Sequence, residues 1–189
     1  MPKNALLFIA AIIMTSACQR DYTPKPRGYF RIDLPKKEYR KTPDKIPYQF
    51  EYPTYCYLMN NRKAEQEMYW IDLVYPQFKA TVFLSYKVID KNFETYFQDS
   101  YNFVYKHTIK ADAIDEIAII KPDKKVYGIV YDIKGDAASN LQFYLTDSTK
   151  NFVRGALYFD VLPNKDSLAP VLSFIKQDID TLVETFEWN

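Results

Sequence analysis

Leu141-Gln142-Phe143-Tyr144-Leu145, then Thr146-Asp147-Ser148-Thr149-Lys150, then Phe152-Val153-Arg154-Gly155-Ala156-Leu157-Tyr158-Phe159: this stretch decides the fold. Two runs of β-branched, aromatic and aliphatic residues flank a polar connection in which Asp147 or Ser148 can bond the local backbone. That is hairpin chemistry, and hairpins pair strands antiparallel. Asn140–Leu145 and Phe152–Phe159 are predicted as one strand pair.

Upstream, Tyr48–Tyr52, Tyr69–Val74, Asp115–Ile120 and Lys125–Ile133 also read as strands. Ala80–Tyr86 puts Val82, Leu84 and Tyr86 on one face and Thr81, Phe83 and Ser85 on the other. An aromatic on each side suggests that this strand is covered on both faces. From Asn92 to Thr108 the period changes, and Phe93, Tyr96, Phe97, Tyr101, Val104 and Tyr105 recur at helical spacing.

A second helix is clearer still. Asp166 or Ser167 is its expected cap, with Pro170 in the first turn. Leu168, Val171, Leu172, Ile175, Ile179, Leu182, Val183 and Phe186 form an apolar stripe, with acids and Lys176 assigned to the opposite face. One long amphipathic helix needs a sheet to lie on. The fold class is therefore α+β, an antiparallel sheet covered by helices.

The other end of the chain bears on where it works. Lys3 precedes an apolar run from Ala5 to Met14, and the small residues Thr15-Ser16-Ala17 lead to Cys18. This is the layout of a secretory signal over residues 1–17, too short to span a bilayer. A cysteine directly after the small residues points to a bacterial lipoprotein, cleaved before Cys18 and acylated there on thiol and amino group. Several acyl chains make attachment to a membrane effectively permanent. The sequence holds only two cysteines, so a lipidated Cys18 leaves Cys56 no disulfide partner. Cys56, between Tyr55 and Tyr57, reads as a small buried apolar residue.

Residues 18–47 read as a basic, Pro-rich tether, and residues 48–189 as a single globular domain. The tether holds nine Lys or Arg and four acids, a net +5, against a net −5 from Tyr48 onward. Pro24, Pro26, Pro35, Pro43 and Pro47 stiffen it. Within it, Arg27, Tyr29, Phe30 and Arg31 form the candidate partner-binding group, since two aromatics between two arginines can stack and pair. Nucleic acid is a poor candidate for that partner outside the cytoplasm.

Little in the body suggests chemistry. One histidine and two cysteines cannot assemble a metal cluster. Gly128, Gly135 and Gly155 form no phosphate loop, and no cofactor is called for. His107 closes a helix with no serine motif beside it. Asp132 with Asp136 is ordinary turn composition, and Asp178 and Asp180 do not face one way. Arg154, in an apolar strand, is either a buried charge needing a carboxylate or, the favoured reading, a strand residue facing water.

Arg27-Gly28-Tyr29-Phe30-Arg31-Ile32-Asp33-Leu34-Pro35 resembles the start of the mature GldD family, gliding-motility lipoproteins of Bacteroidota. So do Leu141–Thr149, Phe152–Phe159, Asn164, Asp166–Val171 and Glu184-Thr185-Phe186-Glu187-Trp188. The resemblance covers essentially the whole mature chain. It implies a lipoprotein needed for gliding and for the type IX secretion machinery, acting as a scaffold or assembly factor with envelope partners. It brings no catalytic residues. Gln19-Arg20-Asp21 holds one acid where a surface-export signal in this group shows a cluster, which favours the periplasmic face of the outer membrane over the cell surface. By element order alone, the body is also similar to PsbP-like sandwiches. The alternative is a lipoprotein carrier or sensor, binding an apolar or glycan ligand in a cleft between sheet and helix.

Overall fold

The computed structural model describes residues 31–60, 67 and 69–189. Cys18, Arg27, Tyr29 and Phe30 lie outside the described residues, as does the signal segment. The strands are β1 (Tyr39–Lys41), β2 (Tyr48–Gln49), β3 (Glu51–Pro53), β4 (Tyr57–Asn60), β5 (Ile71–Tyr75), β6 (Ala80–Val88), β7 (Ala111–Lys121), β8 (Val126–Gly135), β9 (Leu141–Thr146), β10 (Asn151–Phe159) and β11 (Glu187–Trp188). The helices are α1 (Phe93–Tyr105) and α2 (Lys165–Thr185).

Seven strands form one antiparallel sheet in the order β4-β5-β6-β10-β9-β8-β7. The β9–β10 hairpin at its centre is the one expected. Asp147 Oδ1 accepts from the backbone N–H groups of Thr149, Lys150 and Asn151 at 2.8–2.9 Å. Ser148 can then adopt a positive φ of 64° inside a fully bonded turn. Two meanders, β4–β6 and β7–β10, meet at the β6–β10 pair, and α1 carries the chain from β6 to the far edge at β7.

The two faces differ. Ile71, Leu73, Val82, Leu84, Val153, Leu157, Phe143 and Leu145 share one face and are fully buried under Phe174, Ile175, Ile179, Leu182 and Phe186 of α2 and the turn after it. Register puts Gly155 opposite Phe143, and the ring fills the space where a side chain would stand. The opposite face is covered by α1 over β8–β10 only. There Phe93 and Tyr96 pack on Phe152, Phe97 meets Tyr144 edge-on, and Val104 is buried. Toward β4–β6 that face is open, so Phe83 is 37% exposed. The expectation that Ala80–Tyr86 is covered on both sides is corrected: α1 packs over β8–β10 and leaves the outer face of this strand open.

Two small sheets tie the ends of the folded unit together. β1 pairs with β3, and β2 with β11, so Trp188 lies opposite Tyr48. Tyr48, Phe50 and Phe186 stack at centroid distances of 5.7–6.4 Å. The single strand expected over Tyr48–Tyr52 is thus two, broken at Phe50, which turns into the ring stack. The compact unit begins at Asp33, so the tether boundary drawn at Pro47 does not coincide with a structural one. Prolines at 43 and 47 interrupt strands here without preventing them.

α2 also starts earlier than expected. Asn164, not Asp166 or Ser167, is the cap, and its side chain accepts from Ser167 N at 3.0 Å. Pro170 consequently falls inside the helix, past the first turn, where its missing N–H removes one helical bond.

Candidate functional site

Asp178 breaks the pattern read for α2. It stands one helical turn from both Phe174 and Leu182, on the buried stripe rather than the solvent side, and is 1% exposed. A buried carboxylate demands partners. Lys37 Nζ donates to its Oδ1 at 2.6 Å, and the Tyr39 hydroxyl to the same oxygen at 2.9 Å. The Tyr55 hydroxyl donates to Oδ2 at 2.7 Å. Lys37 also donates to the Phe174 carbonyl at 2.7 Å and lies 3.4 Å from the centroid of the Phe174 ring. Nearby, Arg40 donates to the Cys56 carbonyl at 3.0 Å.

Burial raises the Tyr55 pKa far above a free phenol, and its bond to Asp178 adds to the rise. Cys56 is buried, and its thiol is pushed up first by that burial and then by Asp178. Such a thiol is a poor nucleophile. The whole cluster is an interior clamp that fixes residues 37–40 to α2. The clue in the sequence is an acid three residues after the stripe residue Ile175 and four before the stripe residue Leu182.

The open half of the α1-side face presents Tyr57, Met59, Phe83 and Tyr158. Phe83 and Tyr158 meet edge-on with centroids 5.8 Å apart. At the border with α1 stands Arg154. It is half-buried, so the water-facing reading does not hold, yet among the described residues no carboxylate pairs with it. Its guanidinium donates to Gln142 Oε1 and lies 4.7 Å from the Phe103 ring centroid. Burial, then the charge of Arg154, lowers the pKa of His107.

The remaining candidates separate. Arg31 is exposed. Asp132 pairs with Lys176, while Asp136 accepts from the Lys165 N–H at 2.7 Å, so the two have structural partners of their own. Asp178 is buried and Asp180 exposed. Among the described residues, no three His, Cys, Asp or Glu side chains gather as a metal site would require. No described helix is long and apolar enough to cross a membrane.

Fold and surface together define an α+β protein whose antiparallel sheet is covered by α2 on one face except toward the β7 edge, where Ile117 is exposed, and only in part by α1 on the other. The chain matches the family described as gliding motility lipoprotein GldD over residues 19–188, and it belongs to that family. Involvement in gliding motility and attachment to a membrane through lipid follow from that membership. No match is found among curated proteins. Among solved structures, the chain is similar to the solution structure of cyanobacterial PsbP from Synechocystis sp. PCC 6803, with a TM-score of 0.49 and 12% identity over 85% of this chain and 98% of that one.

Proposed function

We propose that this protein is a non-enzymatic scaffold or assembly factor of the gliding apparatus and the type IX secretion machinery that serves it. It is anchored through acylated Cys18 to the outer membrane, facing the periplasm. Arg27, Tyr29, Phe30 and Arg31 dock its leader to other envelope proteins. The observation that carries this reading is the contrast between the two sheet faces. Beneath α2 the space is filled by Phe174, Ile175, Ile179, Leu182 and Phe186, whereas Tyr57, Met59, Phe83 and Tyr158 are exposed on the other side. Contiguous exposed apolar surface marks interaction sites.

The carrier reading needs a cleft between sheet and helix. The groove along α2, lined by Ile117, Ile119, Lys121, Val130, Asp180, Val183 and Glu184, has a volume of about 190 Å³. Ligand pockets start at about 300 Å³ and enclose most of their ligand, so this groove favours the scaffold. The test is in-cell photo-crosslinking from Tyr29 or Phe30 in the lipidated protein, followed by mass spectrometry. Recovery of gliding or secretion components, lost on changing Arg27 and Arg31 to Ser, is the expected result. Recovery of lipid or glycan alone, with function intact, overturns the scaffold.

A further inference from the structure

β7 is a sheet edge without the usual protection. It pairs with β8 on one side, and among the described residues no other strand pairs along its far side. Edge strands are normally kept short, charged or bent, because their free N–H and C=O groups pair with any strand they meet. The opposite edge, β4, obeys this and is four residues long. β7 has eleven residues, and after a bulge between Ala111 and Ala113 it keeps register with β8 as far as Lys121. Ile117-Ala118-Ile119-Ile120 carries no charge, and Ile117 and Ile120 are 54% and 70% exposed. So long an apolar edge is either an aggregation hazard or a docking strip.

The chemistry beside the strip selects the occupant. Alternation puts Ile117, Ile119 and Lys121 on the α2 side, where Asp180, Val183 and Glu184 form the other wall of a groove. Its floor is apolar and its lip is acidic. The nearby cations are engaged elsewhere: Lys176 pairs with Asp132, and Lys121 donates to the Val183 and Glu184 carbonyls at 2.7 and 2.8 Å. Asp180 and Glu184, both exposed and one helical turn apart, close no salt bridge among the described residues. Partial desolvation, with the charges of Glu184 and Asp132 behind it, raises the Asp180 pKa against the pull of Lys176, so an added cation is favoured there. A second copy fits poorly. Two-fold pairing of two β7 edges lays both α2 helices on the same side of the joined sheet, so Asp180 and Glu184 of both copies would line one groove. Each chain is also net −5 from Tyr48 onward.

We propose that β7 docks an extended segment of another protein as an added strand, with Lys or Arg at alternate positions on the α2 side. Their aliphatic stems cover Ile117 and Ile119, and their charges reach Asp180 and Glu184. Aliphatic residues at the intervening positions lie beside Ala118 and Ile120 on the other face. This goes beyond the leader residues Arg27–Arg31 and beyond the surface around Phe83. It stands or falls independently of any crosslink made from Tyr29.

The test uses the full lipidated chain in detergent and two capped peptides, Thr-Lys-Val-Lys-Val-Lys-Thr and Thr-Glu-Val-Glu-Val-Glu-Thr. Binding is read by fluorescence anisotropy, and protection of residues 113–121 by amide hydrogen exchange. The Lys peptide is expected to bind and to slow exchange in that segment, and the Glu peptide to do neither. A Lys peptide N-methylated at every residue cannot form strand bonds and should not bind, which separates strand pairing from charge attraction alone. Asp180→Asn with Glu184→Gln, both at exposed positions, should weaken the Lys peptide roughly tenfold, the scale of two exposed ion pairs. Failure of the Lys peptide to bind, equal binding of the Glu peptide, or unchanged exchange at residues 113–121 overturns the proposal. So does undiminished binding of the N-methylated peptide, or of the Lys peptide to the Asp180→Asn, Glu184→Gln protein. Light scattering that shows a dimer in the absence of peptide, broken by Ile117→Lys, would overturn it in favour of a second copy.

Discussion

Lys37 Nζ lies 2.6 Å from Asp178 Oδ1, joining a residue ahead of the first strand to the buried side of the last helix. The carboxylate is fully buried, whereas the lysine side chain is 24% exposed. The pair is therefore asymmetric: Lys37 can turn to water if it loses Asp178, but Asp178 cannot do so if it loses its donors.

Removing the lysine should accordingly cost more than its own bond. Lys37→Met is expected to destabilise the protein by about 3 kcal/mol in urea unfolding, because an uncompensated buried charge remains. Lys37→Met combined with Asp178→Leu should recover most of that loss, since replacing both partners by apolar groups is often neutral. A Lys37→Met loss below about 1 kcal/mol, the range of exposed ion pairs, would show that residues 37–40 are not clamped to α2.

Tyr55 gives the same cluster an alkaline signature. Its folded pKa is raised by burial, then by its bond to Asp178 and the charge of that group. A raised pKa contributes stability that is fully present below the unfolded value of about 10 and lost as pH rises toward the folded one. Stability should thus fall above pH 10 as buried phenols are forced to ionise. Tyr55→Phe is expected to be less stable at pH 7 by about 1.5 kcal/mol, the loss of a hydrogen bond to a charged group, and to show a shallower decline above pH 10. Parallel alkaline profiles for the two proteins would remove Tyr55 from the account.

This cluster also shows where reading the sequence runs out. The sheet, the central hairpin and both helices follow from period and turn chemistry, which are local. Asp178 sits at the right spacing to be on the buried stripe, but counting acids on a helix does not say which are satisfied. That depends on Lys37 and Tyr39, more than a hundred residues earlier in a segment whose prolines and charges look like a spacer. β1 and β11 escaped notice for a related reason: two or three residues pair only because distant partners, β3 and β2, are brought to them. Arg154 stands out in an apolar strand, and among the described residues its partners are Gln142 and the Phe103 ring rather than a carboxylate. Its cross-strand neighbour Gln142 looked like any polar strand residue.

The β9–β10 turn predicts an acid dependence. Burial opposes the Asp147 charge, but the N–H groups of Asn151, Lys150 and Thr149 outweigh it and hold the pKa below that of a free carboxylate. Stability from such a group is present above the unfolded value near 4 and lost as pH falls through the folded one. Asp147→Ala should cost about 2 kcal/mol at pH 7, several hydrogen bonds being lost at a partly exposed site. Its stability should then change less between pH 5 and pH 2 than that of the unaltered protein, measured by denaturant unfolding at each pH. An equally steep profile in Asp147→Ala would place the acid sensitivity elsewhere.

Gly155 and Phe143 make the most local prediction. A Cβ at Gly155 would stand 2.2 Å from Phe143 Cζ, and the ring is itself fully buried under α2. Gly155 has no positive φ to protect, so its role is space rather than backbone freedom. Gly155→Ala should destabilise by about 2 kcal/mol through overpacking. Phe143→Leu alone should also destabilise, since it removes buried volume. The two together should cost less than the sum of the separate losses, because the shorter side chain gives the new methyl somewhere to go. Urea unfolding of the four proteins in that cycle measures the coupling directly. Simple additivity would mean that Phe143 moves aside freely, and that the sheet beneath α2 is less tightly filled than its burial implies.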